Sequence, residues 1–278
     1  MLANGNDIDG LLQHAAAGLA AAERLHDHVW LPVLLGESGN AYSVLGDWQS
    51  AREFLGRGLE LAPNSPLLLP VRILMEYQVG DFDQGEMFLK RFLPVAGGRG
   101  RGELNVGPVV AMVARITGTN DRFDIAEAAA SDILSSSSVN LSGTSTARIA
   151  IAMMAVQRSD STAATEQFSA LEFLRGTMLI RWGMSADRLL GLLSRTMGNL
   201  DQAATHFENA LVFCRKAGYR PDLAWTCCDY SDTLRERDAA GDRAKAMSLL
   251  DESLAISSEL GMRPLMERVL SRREILKA

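Results

Sequence analysis

Residues 35–59 read LGESGNAYSVLGDWQSAREFLGRGL. Leu35, Gly39 and Tyr42 follow one another at helical spacing and share one face of a helix. Trp48, Ala51, Leu55 and Gly58 repeat that pattern on a second helix, which Pro63 stops. Between the two lies Gly46-Asp47. Glycine tolerates the positive φ needed just past a helix end, and the aspartate oxygen can cap the helix that follows. Gly39 and Ala51 carry little or no side chain, so two helices can approach closely there. Tyr42, Trp48 and Leu55 are bulky enough to fill the space around that contact. The stretch predicts an antiparallel helical hairpin with Tyr42 and Trp48 in its core.

The pattern recurs. Gly80-Asp81-Phe82 lies 34 residues after Gly46-Asp47-Trp48, and Gly85, Leu89 and Leu93 stand where the first unit has Ala51, Leu55 and Leu59. That stride belongs to the tetratricopeptide repeat, and the first unit resembles this family. It departs from the family's preferences at Leu35, where a Trp is usual, and at Ser38, where a Leu is usual. Gly198-Asn199 repeats the turn. Gln84 and Gln202 each follow the capping residue by three positions, as in a capping box. A longer stride of 43 residues appears downstream. Ala203, Phe207, Leu211, Gly218, Arg220 and Pro221 recur as Ala246, Leu250, Leu254, Gly261, Arg263 and Pro264. Two further units, with turns at Gly118-Thr119-Asn120 and Ser159-Asp160, fill the middle.

These units predict a single all-α, right-handed superhelical solenoid of antiparallel helix hairpins, about 14 helices in all. Hairpins are expected over residues 32–62, 66–94, 107–134, 145–175, 181–217 and 222–260, after a half repeat at 8–27 and before a terminal helix at 264–277. Gly97 to Gly102 and Ser135 to Ser145 read as flexible connections.

Composition narrows the function classes. The chain of 278 residues carries a net charge of −6, which lacks the basic footprint of a nucleic-acid binder. Arg263, Arg268, Arg272, Arg273 and Lys277 form a locally basic end, but Glu267 and Glu274 are mixed among them, as on a solvated helix face. The three cysteines, Cys214, Cys227 and Cys228, read as small packing residues rather than a disulfide or metal set. The first ten residues lack the pattern of a secretory signal, and no long apolar run spans a membrane. These features lead to the expectation of a soluble, cytoplasmic protein.

Residues 184–278, and more loosely 22–62, resemble the helical-repeat region of LuxR-type transcriptional regulators related to the maltose regulator. They also resemble that of class III adenylate/guanylate cyclases that carry an ATPase domain. Gly191, Gly198, Ala203, Phe207, Ala210 and Leu211 carry the resemblance in one repeat. Trp225, Tyr230, Ala246, Leu250 and Glu259-Leu260-Gly261-Met262 carry it in the next. The resemblance implies a sensor arm that binds an effector or a regulatory protein and controls a neighbouring ATPase and output domain. No Walker motif, cyclase core or helix-turn-helix accompanies it here.

No catalytic, cofactor or metal motif stands out. His26 and His28 face different ways on a helix, and His206 reads as exposed. The Gly-rich run at 97–102 lacks the Lys-Ser/Thr of a phosphate loop. In the solenoid the first helices of the hairpins line a concave face, where a ligand lies. The projection places Asn40, Ser43, Leu74, Tyr77, Arg188, Leu192, Arg195, Trp225, Asp232 and Arg235 there. Arg188 and Arg195, with Arg235 nearby, can hold a carboxylate or phosphate, and Trp225 can stack on a ring. The alternative is that these arginines pair with local acids such as Asp187 and Asp232 and that Trp225 is packed between repeats. The expected partner is a protein or peptide, or else a small-molecule effector in the groove. Terminal helices leave a homodimer open.

Overall fold

Gly46 sits at φ +86° and Gly80 at +78° in the computed structural model, which describes residues 8–96, 103–136 and 140–277. Asp47 and Asp81 then cap the following helices by accepting from the backbone N–H of Ser50 at 3.0 Å and of Gln84 at 3.3 Å. The chain is all-α. Its helices are α1 (Ile8–Leu25), α2 (Trp30–Leu45), α3 (Trp48–Leu61), α4 (Leu68–Val79), α5 (Phe82–Ala96), α6 (Glu103–Thr117) and α7 (Phe123–Ser135). They continue with α8 (Leu141–Arg158), α9 (Ser161–Leu171), α10 (Ala186–Thr196), α11 (Leu200–Ala217), α12 (Arg220–Arg237), α13 (Asp242–Glu259) and α14 (Arg263–Lys277). Among the described residues none is long and apolar enough to cross a membrane.

From α2 onward the helices pair as hairpins, each second helix also packing on the first helix of the next pair. The first helices α2, α4, α6, α8, α10 and α12 form an inner layer, each touching the next in the series. Burial is most complete in α12, which is buried continuously from Pro221 to Leu234. The second helices are amphipathic, so α3 buries Ala51, Leu55, Gly58 and Leu59 and turns its charged face outward. Gly39 serves the close approach foreseen for it, since a Cβ there would lie 2.6 Å from the Leu55 side chain.

The inner layer curves until its ends meet. α12 lies against α2, and α14 lies against α4 and α6. The concave face is therefore occupied by the chain itself. Residues 178–185, where the first helix of a hairpin was expected from residue 181, instead make a small antiparallel β pair, β1 (Met178–Leu179) with β2 (Met184–Ser185). A single 3₁₀ turn at Ile180–Trp182 joins them and packs on α2, α4 and α6. Gly176 and Gly183, at φ +73° and +59°, bracket the excursion, and helix α10 starts only at Ala186.

Other expectations are corrected in detail. Tyr42 and Trp48 are half-buried rather than core: Tyr42 stacks on Phe54 at 5.4 Å, and the Trp48 Nε1–H donates to the Leu260 carbonyl at 2.7 Å. Asn199 makes no side-chain cap. Ser159 takes the left-handed conformation at φ 54° without a glycine, and Asp160 caps α9. The connection expected over Ser135 to Ser145 is shorter, because Asn140 caps α8 by accepting from the Gly143 N–H at 2.9 Å. The 97–102 connection and residues 137–139 of the second one lie outside the described residues.

Candidate functional site

Helix α12 carries Asp222, Trp225, Asp229 and Asp232 at spacings that place them on one stripe. The stripe faces α10, α4, α6 and α14, and every member finds a partner there. Arg188 of α10 is 2% exposed; its Nη1–H donates to Asp222 at 3.0 Å and its Nε–H to Asp229 at 2.8 Å. Arg115 of α6 adds a second guanidinium to Asp229. Arg272 of α14 holds Asp232 at 2.9 Å, with Arg195 behind it at 3.8 Å. The second Asp222 oxygen accepts from the backbone N–H of Ser185 at 2.8 Å, which fastens the β pair to α12.

Trp225 is the mechanical centre. It is 2% exposed, and its Nε1–H donates to the Gln78 side chain of α4 at 2.7 Å. Arg188 and Arg268 lie against its ring, 5.3 and 4.9 Å from the centroid. The Arg268 Nη2–H donates to the Arg115 carbonyl at 2.7 Å. Burial and the neighbouring Arg115 charge push the Arg268 guanidinium down to about 10. Burial by itself would raise the Asp229 carboxyl, but the charges of Arg115, Arg188 and Arg268 outweigh it and hold it at about 2.

That depression has a pH signature. An ordinary aspartate titrates near 3.9, so the stability Asp229 contributes is complete above about pH 4 and is lost as pH falls through about 2. It amounts to roughly 2–3 kcal/mol. Melting curves between pH 6 and 2 should show this loss, with a shallower acid slope in Asp229→Asn. An identical slope in that variant would refute the assignment.

The ten residues projected onto an open groove are distributed differently. Asn40, Leu74, Tyr77, Arg188, Leu192, Trp225 and Asp232 are buried, Ser43 and Arg195 are half-buried, and Arg235 is exposed. Asn40, Ser43 and Leu74 do share a cavity with Gln78, Arg181 and Trp182, but it measures about 20 Å³, room for roughly one water. Tyr77 turns into its own hairpin. Gly85 stands where the first hairpin has Ala51, and the tyrosine ring fills the space, 2.7 Å from where a Cβ would be. Arg188 pairs with Asp222 and Asp229 rather than Asp187. Asp187 instead bonds His206 Nδ1 at 2.9 Å. His206 is therefore buried, not exposed: Phe168 of α9 packs edge-on against its ring. The cysteines are buried thiols, and burial raises all three. Among the described residues no group of three or more His, Cys, Asp or Glu is placed to hold a metal ion.

Open space lies on the outside, between hairpins. A cleft of about 430 Å³ separates the α4–α5 turn from the α6–α7 turn and is lined by Tyr77, Phe82, Asp83, Glu86, Thr117, Asp121 and Arg122, among others. Another, of about 580 Å³, lies between α7, α8 and α9, with Leu134, Ile151, Met154 and Ala163 among its walls. Sequence reasoning missed Asp222, Asp229, Gln78, Arg115 and Arg268. The signal for the first two was present: carboxylates at helical spacing around a tryptophan, on a helix that also carries the apolar stripe Leu223, Cys227, Tyr230 and Leu234. No protein-family model matches the chain, and no curated protein is significantly similar to it.

Proposed function

We propose that this chain is a non-catalytic helical-repeat module that binds a protein or peptide partner, as the regulatory or sensor arm of a bacterial signalling or transcription-regulatory system. The observation that carries this reading is how the polar groups are distributed. The converging polar groups of the interior engage one another, Arg188 and Arg115 with Asp222 and Asp229 as ion pairs, and the His206 ring with Asp187 by a hydrogen bond. Such buried pairs fix an arrangement of helices, with the Arg115 Nε left without a partner among the described residues. The surfaces that remain are clefts between hairpins, of the shape that receives a side chain or a helix end. The repeats quoted above from 184–278 support the regulatory setting.

A partner is therefore expected on the outer side of the stack rather than along the concave face. Immobilised chain incubated with bacterial lysate should retain a discrete protein that, once purified, rebinds at fixed stoichiometry with micromolar or tighter Kd. Retention of nothing, or turnover of a substrate by the purified chain, overturns the proposal. The small-molecule reading keeps one specific support, the cleft of about 580 Å³, which lies within the usual size range of ligand sites. A metabolite that raises the melting temperature of the chain but not of an Ala163→Trp variant would favour it.

A further inference from the structure

The two sequence strides interlock in space. The 34-residue stride sets the turns at Gly46 and Gly80, and the 43-residue stride sets the Arg-Pro helix starts Arg220-Pro221 and Arg263-Pro264. Each start sits in a turn. A Cβ on Gly46 would lie 3.3 Å from Pro221 and 2.9 Å from Leu260. One on Gly80 would lie 3.2 Å from both Pro264 and Arg263. At the second site Arg263 also caps the end of α4, its Nε–H donating to the Val79 carbonyl at 3.2 Å and its Nη2–H to the Gly80 carbonyl at 2.8 Å. Here a cation satisfies carbonyls at the negative end of a helix dipole.

After α6 the inner layer turns at Gly118, at φ +78°, whose N–H donates to the Ala114 carbonyl at 2.8 Å; the next N–H, of Thr119, goes to the Thr117 hydroxyl rather than to a helix carbonyl as in the Gly46 and Gly80 turns. Nothing lies within 4 Å of a Cβ placed on Gly118. The cleft of about 430 Å³ opens beside it. Phe82 is 45% exposed on its wall, and the carboxylates of Asp83 and Asp121 are exposed and outside every ion pair among the described residues. Arg122, the cation in the cleft, is already held by Glu86 through two bonds of 3.0 and 2.6 Å. The cleft therefore presents unneutralised acid and an aromatic face, two features that each attract a guanidinium, beside a helix end whose Arg115 carbonyl already accepts from Arg268.

The geometry points to this turn as the docking site for an Arg-Pro helix start supplied by a partner protein, in the manner the chain itself uses at Gly80; at Gly46 only Pro221 of the pair packs, since Arg220 is held by Glu259. The arginine enters between Asp83 and Asp121, and the proline ring rests on Phe82. This rests on the reading of the chain as a partner-binding module and gives that partner a chemistry.

The test uses the chain's own sequence in trans. A labelled peptide with the sequence of residues 257–273 is titrated against the full chain and followed by fluorescence anisotropy. Saturable binding is expected. It should weaken at least tenfold when the peptide carries Arg263→Ala, and at least tenfold when the chain carries Asp83→Asn with Asp121→Asn. Both substituted residues are exposed, so the melting temperature should not move and a folding defect is separable from a lost site. Absence of binding overturns the proposal. So does binding indifferent to Asp83 and Asp121, which would mark a peptide displacing α14 from Gly80. If the lysate experiment still yields a partner after either outcome, the general reading stands and this site falls.

Discussion

Asp229→Ala is expected to destabilise the chain by roughly 3–5 kcal/mol, the cost of leaving buried charge without its counterion. Arg188, 2% exposed, would keep Asp222 alone, and Arg115 would lose the carboxylate it is paired with. Neither guanidinium can shed its proton at neutral pH to escape the penalty. The contrast with a surface pair gives the measurement its meaning. Arg57 and Glu23 approach to 2.7 Å, as closely as the buried groups, yet both are more than two-fifths exposed. Glu23→Ala should therefore cost under about 0.5 kcal/mol. Urea unfolding of both variants compares them directly. Equal midpoints would mean that the ionic centre is solvated and that the closed arrangement of α10, α12 and α6 is wrong.

Trp225→Ala is expected to cost a similar amount, roughly 3–5 kcal/mol for a truncated core tryptophan. It also leaves the Gln78 amide without its donor and removes the ring against which Arg188 and Arg268 pack. This loss has a shape as well as a size. Trp225 ties α12 to Gln78 of α4, 147 residues away in sequence, so its removal weakens the link that closes the stack. Small-angle scattering should show a larger radius of gyration in Trp225→Ala. Trp225→Phe keeps the ring–guanidinium contacts and should stay closed at a cost of about 1–2 kcal/mol, that of one buried hydrogen bond. Trp30→Ala is the control: that residue is 59% exposed and its truncation should change neither property. A Trp225→Ala chain as stable and as compact as this control would show that the turns of the stack are held together elsewhere.

The helices, their number and most of their ends were legible because they are local matters. Gly46-Asp47 and Gly80-Asp81 specify a positive φ followed by a cap whatever surrounds them. The pairing of small with large residues, as at Gly39 and Leu55, specifies which helix lies against which within a hairpin. Errors arose where a local signal was ambiguous. Residues 178–185 hold apolar side chains broken by Arg181 and Gly183, with no clear helical or strand period, and their 3₁₀ turn at Ile180–Trp182 packs on α2, α4 and α6. Gly85 determined the fate of Tyr77 from outside its own helix.

Whether the concave face holds a ligand or the chain itself was settled by curvature, which no single repeat encodes. The series of inner helices closes on itself, because α12 meets α2 and α14 meets α4. Once those helices meet, Arg188, Trp225 and Asp232 lie in a low-dielectric interior, and each must find a partner in the chain rather than outside it. Residue types and spacing thus determined the building unit and its stacking. Only the tertiary structure decided which polar groups were left for a partner, because that depends on contacts between residues more than a hundred positions apart.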